Sequence, residues 1–246
     1  MAQLTFPEDG WYRFEKFEQV LFVRGTPYRP LLRAGHYHQD LGHFSLYKLG
    51  RPVLIDGGRR HYLNDKWGRF GLLPEAHNTI TVDDYGLSPY RPTRFPGAYS
   101  DTTYSVSNME TDQMLQVQIK TSGFCRIHPA LMWCRTIEMF QEEFVLQDFI
   151  YGNDQRSVTT FFHFSNPINV VKKDKNSLEF KDPVLSGVIQ HDYANGGQPN
   201  IYRAGESLFG WQAVSYGKVL PAPTVVFRES VKLPVKCNYK IKWSRS

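Results

Sequence analysis

The chain is poor in cysteine, in long apolar runs and in helical periodicity. Its three cysteines, Cys125, Cys134 and Cys237, form neither a CxxC pair nor an even-numbered framework, so we expect buried thiols that leave the redox compartment undetermined. No stretch approaches the roughly 18 uncharged apolar residues that a membrane-spanning helix requires. No segment places apolar residues at i, i+3, i+4 and i+7 over three turns, which argues against amphipathic helices.

Short alternating segments rich in aromatic and β-branched residues take the place of helical patterns. Aromatic residues make up 15% of the 246-residue chain, a share that favours strands. The alternation is clearest over 235–243, where the side chains on one face are Val235, Cys237, Tyr239, Ile241 and Trp243. About a dozen such segments, bounded by glycine, proline or aspartate, predict an all-β fold. We expect a multi-stranded antiparallel β-sandwich or a barrel, in a single domain over residues 1–246.

Positive charge is in modest excess, and many of the arginines lie in the N-terminal part of the chain. There are 29 Lys and Arg against 24 Asp and Glu, a net charge of +5 with histidine neutral. This pattern is typical either of a solvated basic face or of a surface that binds an anionic partner. Because no helix-turn-helix, zinc-finger or RNP signature accompanies the arginines, we expect acidic polysaccharide rather than nucleic acid as that partner.

Histidines and an aspartate lie at the ends of several predicted strands. His36 and His38 are two residues apart, so they would share one face of a strand. Asp56 ends one apolar segment, and His77 begins another. Because neighbouring strands lie about 4.8 Å apart, these side chains could converge on one point. Two imidazoles and a carboxylate suit Zn²⁺, with water or another side chain as a fourth ligand, and the spacing does not choose between His36 and His38. The alternative is that each histidine is an ordinary hydrogen-bonded side chain.

A cupin-type jelly roll is another interpretation, because it also begins with glycine and an HxH pair on a strand. That motif requires a glutamate a few residues after the second histidine, followed by glycine. Here positions 42 and 43 are glycine and histidine, so the carboxylate is absent. This absence counts against a metal-dependent dioxygenase or isomerase.

Two runs of the sequence carry a recognisable family pattern. The first is HYHQDLGHFSLYKLGRPVLIDGG at 36–58, and the second is HNTITVDD at 77–84. They resemble the patterns HxHxDxGxFxLxxxGxPxLxDxG and AHNTVxVD of the heparinase II/III-like family of polysaccharide lyases. Weaker features, including Arg135 and the segment 145–148, extend the resemblance over nearly the whole chain.

The resemblance implies the C-terminal, all-β sandwich of such a lyase. In family members this sandwich packs against an N-terminal (α/α) toroid, and the substrate cleft lies between them. His38, Asp56 and His77 match the family's metal ligands, which typically bind zinc in a structural role. His36 matches a histidine that faces the cleft and assists catalysis. The implied chemistry is β-elimination on a uronic acid, in which a base removes the C5 proton and the 4-linked sugar leaves.

Three further side chains are candidates for the same cleft. Tyr62 follows Asp56 by six residues and is a candidate catalytic acid or base. Arg60 and Arg69 are candidate ligands for a substrate carboxylate or sulfate, which arginine binds through paired donors. For each of these residues the alternative is a surface or packing role.

The helical half of the family is missing from the sequence. Either it lies on another chain, which makes this chain an incomplete lyase, or this chain is a non-catalytic carbohydrate-binding or assembly module with a structural zinc. The first ten residues contain no secretory signal, but one could lie upstream in a longer protein. As part of a larger lyase, the chain is expected to be periplasmic or extracellular. The sequence does not distinguish a glycosaminoglycan from alginate as the polysaccharide.

Overall fold

Antiparallel strands make up most of the described structure. The computed structural model describes residues 4–6, 9–25, 38–88, 103–192, 198–205 and 207–245. Within these ranges the chain forms twenty strands, every ladder is antiparallel, and the predicted all-β class is confirmed. In chain order the strands are β1 (Leu4–Phe6), β2 (Trp11–Lys16), β3 (Gln19–Arg24), β4 (Phe44–Lys48), β5 (Arg51–Leu54), β6 (Ile80–Val82), β7 (Tyr85–Gly86), β8 (Tyr104–Glu110), β9 (Leu115–Thr121), β10 (Met132–Met139), β11 (Glu143–Tyr151), β12 (Gln155–His163), β13 (Asn169–Asp174), β14 (Ser177–Lys181), β15 (Leu185–Asp192), β16 (Asn200–Tyr202), β17 (Trp211–Ser215), β18 (Lys218–Pro221), β19 (Thr224–Lys232) and β20 (Val235–Arg245).

The described strands form three large sheets and one hairpin. Strands β1 to β5 follow one another in a five-stranded sheet. An eight-stranded sheet has the order β13-β14-β15-β20-β11-β10-β9-β8, and a second five-stranded sheet has the order β16-β19-β12-β6-β7. Strands β17 and β18 pair as a separate hairpin. Several neighbours in the sheets are far apart in sequence, so long-range contacts hold the fold together.

Helical structure in the described ranges is limited to short segments, and these ranges contain no helical toroid. The helix α1 spans Lys66–Phe70, and 3-10 turns span Pro74–Ala76 and Gly123–Arg126. Asp65 caps the N-terminus of this helix, because its carboxylate accepts a hydrogen bond from the Gly68 N–H at 2.8 Å. Its five residues are too few to show helical periodicity, so the sequence did not predict it. None of the helical segments described is long and apolar enough to cross a membrane.

The core lies between the sheets and is rich in aromatic rings. The ring of Phe162 on β12 lies 5.0 Å from that of Tyr239 on β20 and 6.1 Å from that of Phe44 on β4, so it joins all three large sheets. Phe44 also stacks on Phe144 of β11 at 5.7 Å. Four of the five residues predicted to share a face of β20 are buried, and Val235 is partly buried against the same cluster. The predicted alternation of this strand is confirmed.

A buried ion pair links the eight-stranded sheet to the segments that carry the histidines. Arg135 on β10 and Asp148 on β11 are cross-strand neighbours, and the exposure of both side chains is 0%. The guanidinium donates to both carboxylate oxygens, from Nε to Oδ1 at 2.8 Å and from Nη2 to Oδ2 at 2.7 Å. Its Nη1 donates to the carbonyl oxygens of Gly42 and Asn78 at 2.6 and 2.9 Å. Arg135 therefore fixes the backbone next to two of the histidines.

The chain turns sharply at Gly42, where it passes close to the indole ring of Trp133 on β10. The φ angle of Gly42 is +78°, which L side chains rarely adopt, and an added Cβ would lie 2.6 Å from Cη2 of Trp133. Trp133 is itself fixed, because its Nε1 donates to Asp148 Oδ1 at 2.9 Å. Glycine at this position therefore lets the chain pass the indole ring and enter β4 directly after His43.

Candidate metal centre

Three stretches that are separate in sequence converge around the side chain of Asn78. They are the irregular segment before β4, the segment after β5, and the turn that leads from Pro74–Ala76 into β6. The Asn78 side-chain amide donates to the carbonyl oxygens of Phe44 at 2.8 Å and Ile55 at 2.9 Å. Its amide oxygen accepts from the backbone N–H of His163 on β12 at 2.7 Å. Asn78 is fully buried, so these bonds replace those to water and hold the three stretches against β12.

We expect Asn78→Ala to lower the free energy of unfolding by roughly 2–4 kcal/mol, because it leaves two carbonyl oxygens and one N–H group buried without partners. Urea denaturation followed by tryptophan fluorescence measures the change. Asn169→Ala, at an exposed position on β13, is the control and should change stability by no more than about 0.5 kcal/mol. Equal stability of the two variants would contradict the role assigned to Asn78.

His77 and Asp56 form a hydrogen-bonded pair at this convergence. Nδ1 of His77 lies 2.9 Å from Oδ2 of Asp56, and Oδ1 of Asp56 accepts from the Gly58 N–H at 2.7 Å. The side chain of His77 is fully buried, whereas 37% of the Asp56 side chain is exposed. The other ring nitrogen of His77, Nε2, is buried and has no hydrogen-bond partner among the described residues. Since a buried polar atom is costly without a partner, this nitrogen is a candidate metal ligand.

Opposing effects set the charges of this pair. Burial disfavours the charged form of His77, but the Asp56 carboxylate and its hydrogen bond outweigh burial and raise the pKa of His77 above its ordinary value. Removal from water likewise disfavours charge on Asp56, but His77 and the Gly58 N–H hold the pKa of Asp56 below its ordinary value. Asp56 is therefore ionised at neutral pH and can serve as an anionic ligand.

His43 lies beside the pair, close enough to be considered as a third metal ligand. One ligand atom from each of His43, Asp56 and His77 lies within 4.8 Å of the others. Nδ1 of His43 accepts the backbone N–H of Asn78 at 3.0 Å, so we assign the proton of the neutral ring to Nε2. That nitrogen lies 3.0 Å from Ser45 Oγ and 3.7 Å from Asp56 Oδ2. Burial lowers the pKa of His43 to about 3, so the ring is neutral and can donate to either oxygen.

Of the three metal ligands predicted from the sequence, Asp56 and His77 belong to the three side chains whose ligand atoms lie within 4.8 Å of one another, and His38 lies next to them. The ring centroid of His38 lies 5.4 Å from that of His77, which is hydrogen-bonded to Asp56. The sequence placed His38 in a strand, but it lies in the irregular segment before β4. His36 lies outside the described residues. His43 was not among the predicted ligands, because its place beside Asp56 depends on a backbone hydrogen bond across 35 residues that no local pattern encodes.

The three candidate cleft residues lie on the segment that follows Asp56. Tyr62 is 56% exposed. Arg60 is half-buried, with its guanidinium 4.8 Å from the ring of Trp67, and Arg69 is exposed on α1. Catalysis by Tyr62 and substrate binding by the two arginines stay predictions.

Similarity to a known family extends over almost the whole chain. The family model of the heparinase II/III-like C-terminal domain matches residues 2–235. The chain belongs to this family. Among proteins of curated function, none has significant sequence similarity to this heparinase II/III-like domain.

Solved heparinase structures share the fold of this heparinase II/III-like domain. Heparan sulfate lyase HepC from Pedobacter heparinus is 17% identical with a TM-score of 0.75, and the match covers 100% of this chain and 37% of that one. One heparinase III is 16% identical with a TM-score of 0.72, covering 96% and 35% of the two chains. Another heparinase III is 14% identical with a TM-score of 0.75, covering 99% and 36%. At these identities the likeness shows the fold alone, and the chain spans about a third of the length of those proteins.

Proposed function

We propose that this heparinase II/III-like domain binds a structural zinc ion and contributes to β-elimination on a polysaccharide that contains uronic acid. The proposed zinc ligands are His38, Asp56 and His77, and His36 is the proposed catalytic side chain. The observation that carries the proposal is the buried Nε2 of His77, which has no partner among the described residues and lies in a cluster with an ionised carboxylate and further imidazole rings.

The donors of this cluster fit zinc, which binds imidazole nitrogen and carboxylate oxygen. His38 is preferred to His43 as the third ligand. Nδ1 of His43 accepts a backbone N–H, and its other nitrogen then carries the proton, so neither is available to a cation. His43 would instead orient the Asp56 carboxylate from the side, a role that hydrogen-bonded neighbours of metal ligands commonly have. When bound, the zinc ion would add a cross-link between segments that the hydrogen bonds of Asn78 already hold together.

The proposed reaction requires a base at C5 and a group that neutralises the adjacent carboxylate of the substrate. His36 would face the cleft and neutralise the carboxylate or transfer a proton, and Tyr62 is a candidate acid or base. Arg60 and Arg69 would bind carboxylate or sulfate through paired N–H donors. A helical domain, on another chain or elsewhere in a longer protein, would form the opposite wall of the cleft. The partial coverage of the HepC structure, 37% of its length, supports this part of the proposal.

Lyase activity is tested with the purified, zinc-loaded chain, alone and together with any all-helical protein encoded beside it. Heparan sulfate, hyaluronan and alginate are the substrates, and the ultraviolet absorbance of the unsaturated product is followed. We expect product when the helical half is supplied, and His36→Ala should lower its rate by about 10²–10⁴-fold without changing zinc content. His128→Ala is the control, because that side chain is 41% exposed and pairs with Asp154 away from the cluster.

A second candidate function is a non-catalytic carbohydrate-binding or assembly module that keeps zinc for stability. The chain covers only 35–37% of the length of the solved lyases, so their activity does not carry over to it. Measurable polysaccharide binding without unsaturated product in any arm of the assay would support the module and reject the lyase.

A further inference from the structure

Two exposed tyrosines from distant parts of the sequence stack on each other. Tyr62 lies on the segment that follows Asp56, and Tyr216 lies at the tip of the β17–β18 hairpin. Their ring centroids are 5.9 Å apart with an interplanar angle of 27°. The two residues are 56% and 67% exposed. Large aromatic rings exposed side by side are typical of an interaction site rather than of a core.

Backbone contacts fix the relative position of these rings. The Ala213 N–H donates to the Gly57 carbonyl at 2.8 Å, and the Gly217 N–H donates to the Arg60 carbonyl at 2.7 Å. Gly58 lies between these two bonds with a φ of +74°, and an added Cβ would lie 2.9 Å from the Ala213 oxygen. The hairpin therefore lies tightly against the segment that leads from the candidate metal centre to Tyr62.

Arg59 adds a fixed positive charge to the tyrosine pair. Its guanidinium carbon lies 4.4 Å from the centroid of the Tyr62 ring, and its Nε donates to the Gly68 carbonyl at 3.1 Å. No hydrogen bond from the Nη groups of Arg59 is present in the described part of the chain. The surrounding sequence, 59–69, carries four lysines and arginines, and Asp65 is its only acid. The local charge therefore suits an anionic ligand.

We infer that Tyr62, Tyr216 and Arg59 form a binding platform for one uronate or sulfated sugar unit of an acidic oligosaccharide. The apolar face of a pyranose ring packs on aromatic rings, and the Nη groups of Arg59 bind a carboxylate or sulfate through paired donors. The backbone bonds at Gly57 and Arg60 tie the platform to the segment that begins at Asp56, so it would extend a cleft that starts at the histidine cluster. The inference rests on the proposed function for its choice of an acidic polysaccharide. It adds a binding role for Tyr62 to the candidate acid–base role of the proposed function.

The test is isothermal titration calorimetry on the intact, zinc-loaded chain. The probes are oligosaccharides of equal length from heparan sulfate (carboxylate and sulfate), from hyaluronan (carboxylate only) and from chitin (neutral). We expect Tyr216→Ala to weaken binding of the acidic oligosaccharides at least about tenfold and Tyr216→Phe to preserve it. Arg59→Gln should weaken only the acidic probes, and salt should reduce the difference from wild type. Whether hyaluronan binds as well as heparan sulfate shows which anionic group Arg59 accepts.

Tyr151→Ala is the matched control, because this tyrosine is 47% exposed on β11 of the eight-stranded sheet. Its affinity should equal that of wild type. Tyr216→Ala binding as tightly as wild type would overturn the platform. Absence of oligosaccharide binding by wild type would also overturn the platform, and would indicate that the two rings contact a protein surface instead. If binding depends on Tyr216 but the lyase assay gives no unsaturated product, the platform stands and the proposed lyase function is rejected. If Tyr216→Ala forms product at the wild-type rate, the platform is rejected and the proposed lyase function stands.

Discussion

Replacing Arg135 with methionine is expected to lower the free energy of unfolding by about 3–5 kcal/mol, because it leaves the Asp148 carboxylate charged and buried. The variant also removes the Nη1 hydrogen bonds to the carbonyl oxygens of Gly42 and Asn78. Both losses fall on the interface between the eight-stranded sheet and the segments that carry the histidines. Urea denaturation measures the change in the free energy of unfolding.

An exposed ion pair is the control for Arg135→Met. Arg13 and Glu15 are 2.6 Å apart with side chains 26% and 46% exposed, so Arg13→Met should cost no more than about 1 kcal/mol. The double variant Arg135→Met with Asp148→Leu removes both buried charges and should recover part of the loss. If Arg135→Met costs no more than Arg13→Met, the buried pair does not hold the sheet to the candidate metal centre.

Loss of the proposed zinc site is the second large effect that we expect. Wild-type protein should contain about one zinc ion per chain by elemental analysis, and His77→Ala should contain far less, because metal binding is coupled to folding. Zinc at a concentration about 100-fold above its Kd would stabilise the fold by about 2.7 kcal/mol. For a domain of this size that corresponds to a rise in Tm of roughly 5–10 °C, measurable by calorimetry with and without a chelator.

A chelator should lower the Tm of wild type but not that of His77→Ala. His191→Ala is the control, since this buried histidine lies on β15 of the eight-stranded sheet and its loss should cost stability without changing zinc content. Full zinc occupancy in His77→Ala would contradict the assignment. The third ligand is tested separately: His38→Ala should lose zinc, whereas His43→Gln should retain it.

Strand alternation is a local property, and for that reason it could be predicted from the sequence. The side chains of a strand point to alternate faces whatever strands lie beside it, so the period of two over 235–243 identified the buried face of β20. Local patterns were less informative where the chain is irregular. His77, expected to begin a strand, lies directly after the 3-10 turn Pro74–Ala76, and β6 begins only at Ile80. The helix Lys66–Phe70 is too short to show a period.

The candidate site was predictable only in part. The two sequence runs identified the family, and the structure joins Asp56 to His77 by a hydrogen bond and places the ring of His38 5.4 Å from that of His77. The place of His43 depends on which way the backbone N–H of Asn78 points after the chain has folded. No spacing in the sequence reports that direction.

The sequence by itself determined the all-β class, the inner face of β20, the family, and the proximity of Asp56 and His77. Only the tertiary structure decided the order of the sheets, the proton position on His43 and the contact between Tyr62 and Tyr216. The physical reason is the separation in sequence between the groups that interact. Alternation and turn chemistry act between residues a few positions apart, whereas these other features arise when sheets pack and bring together groups that are distant in the chain.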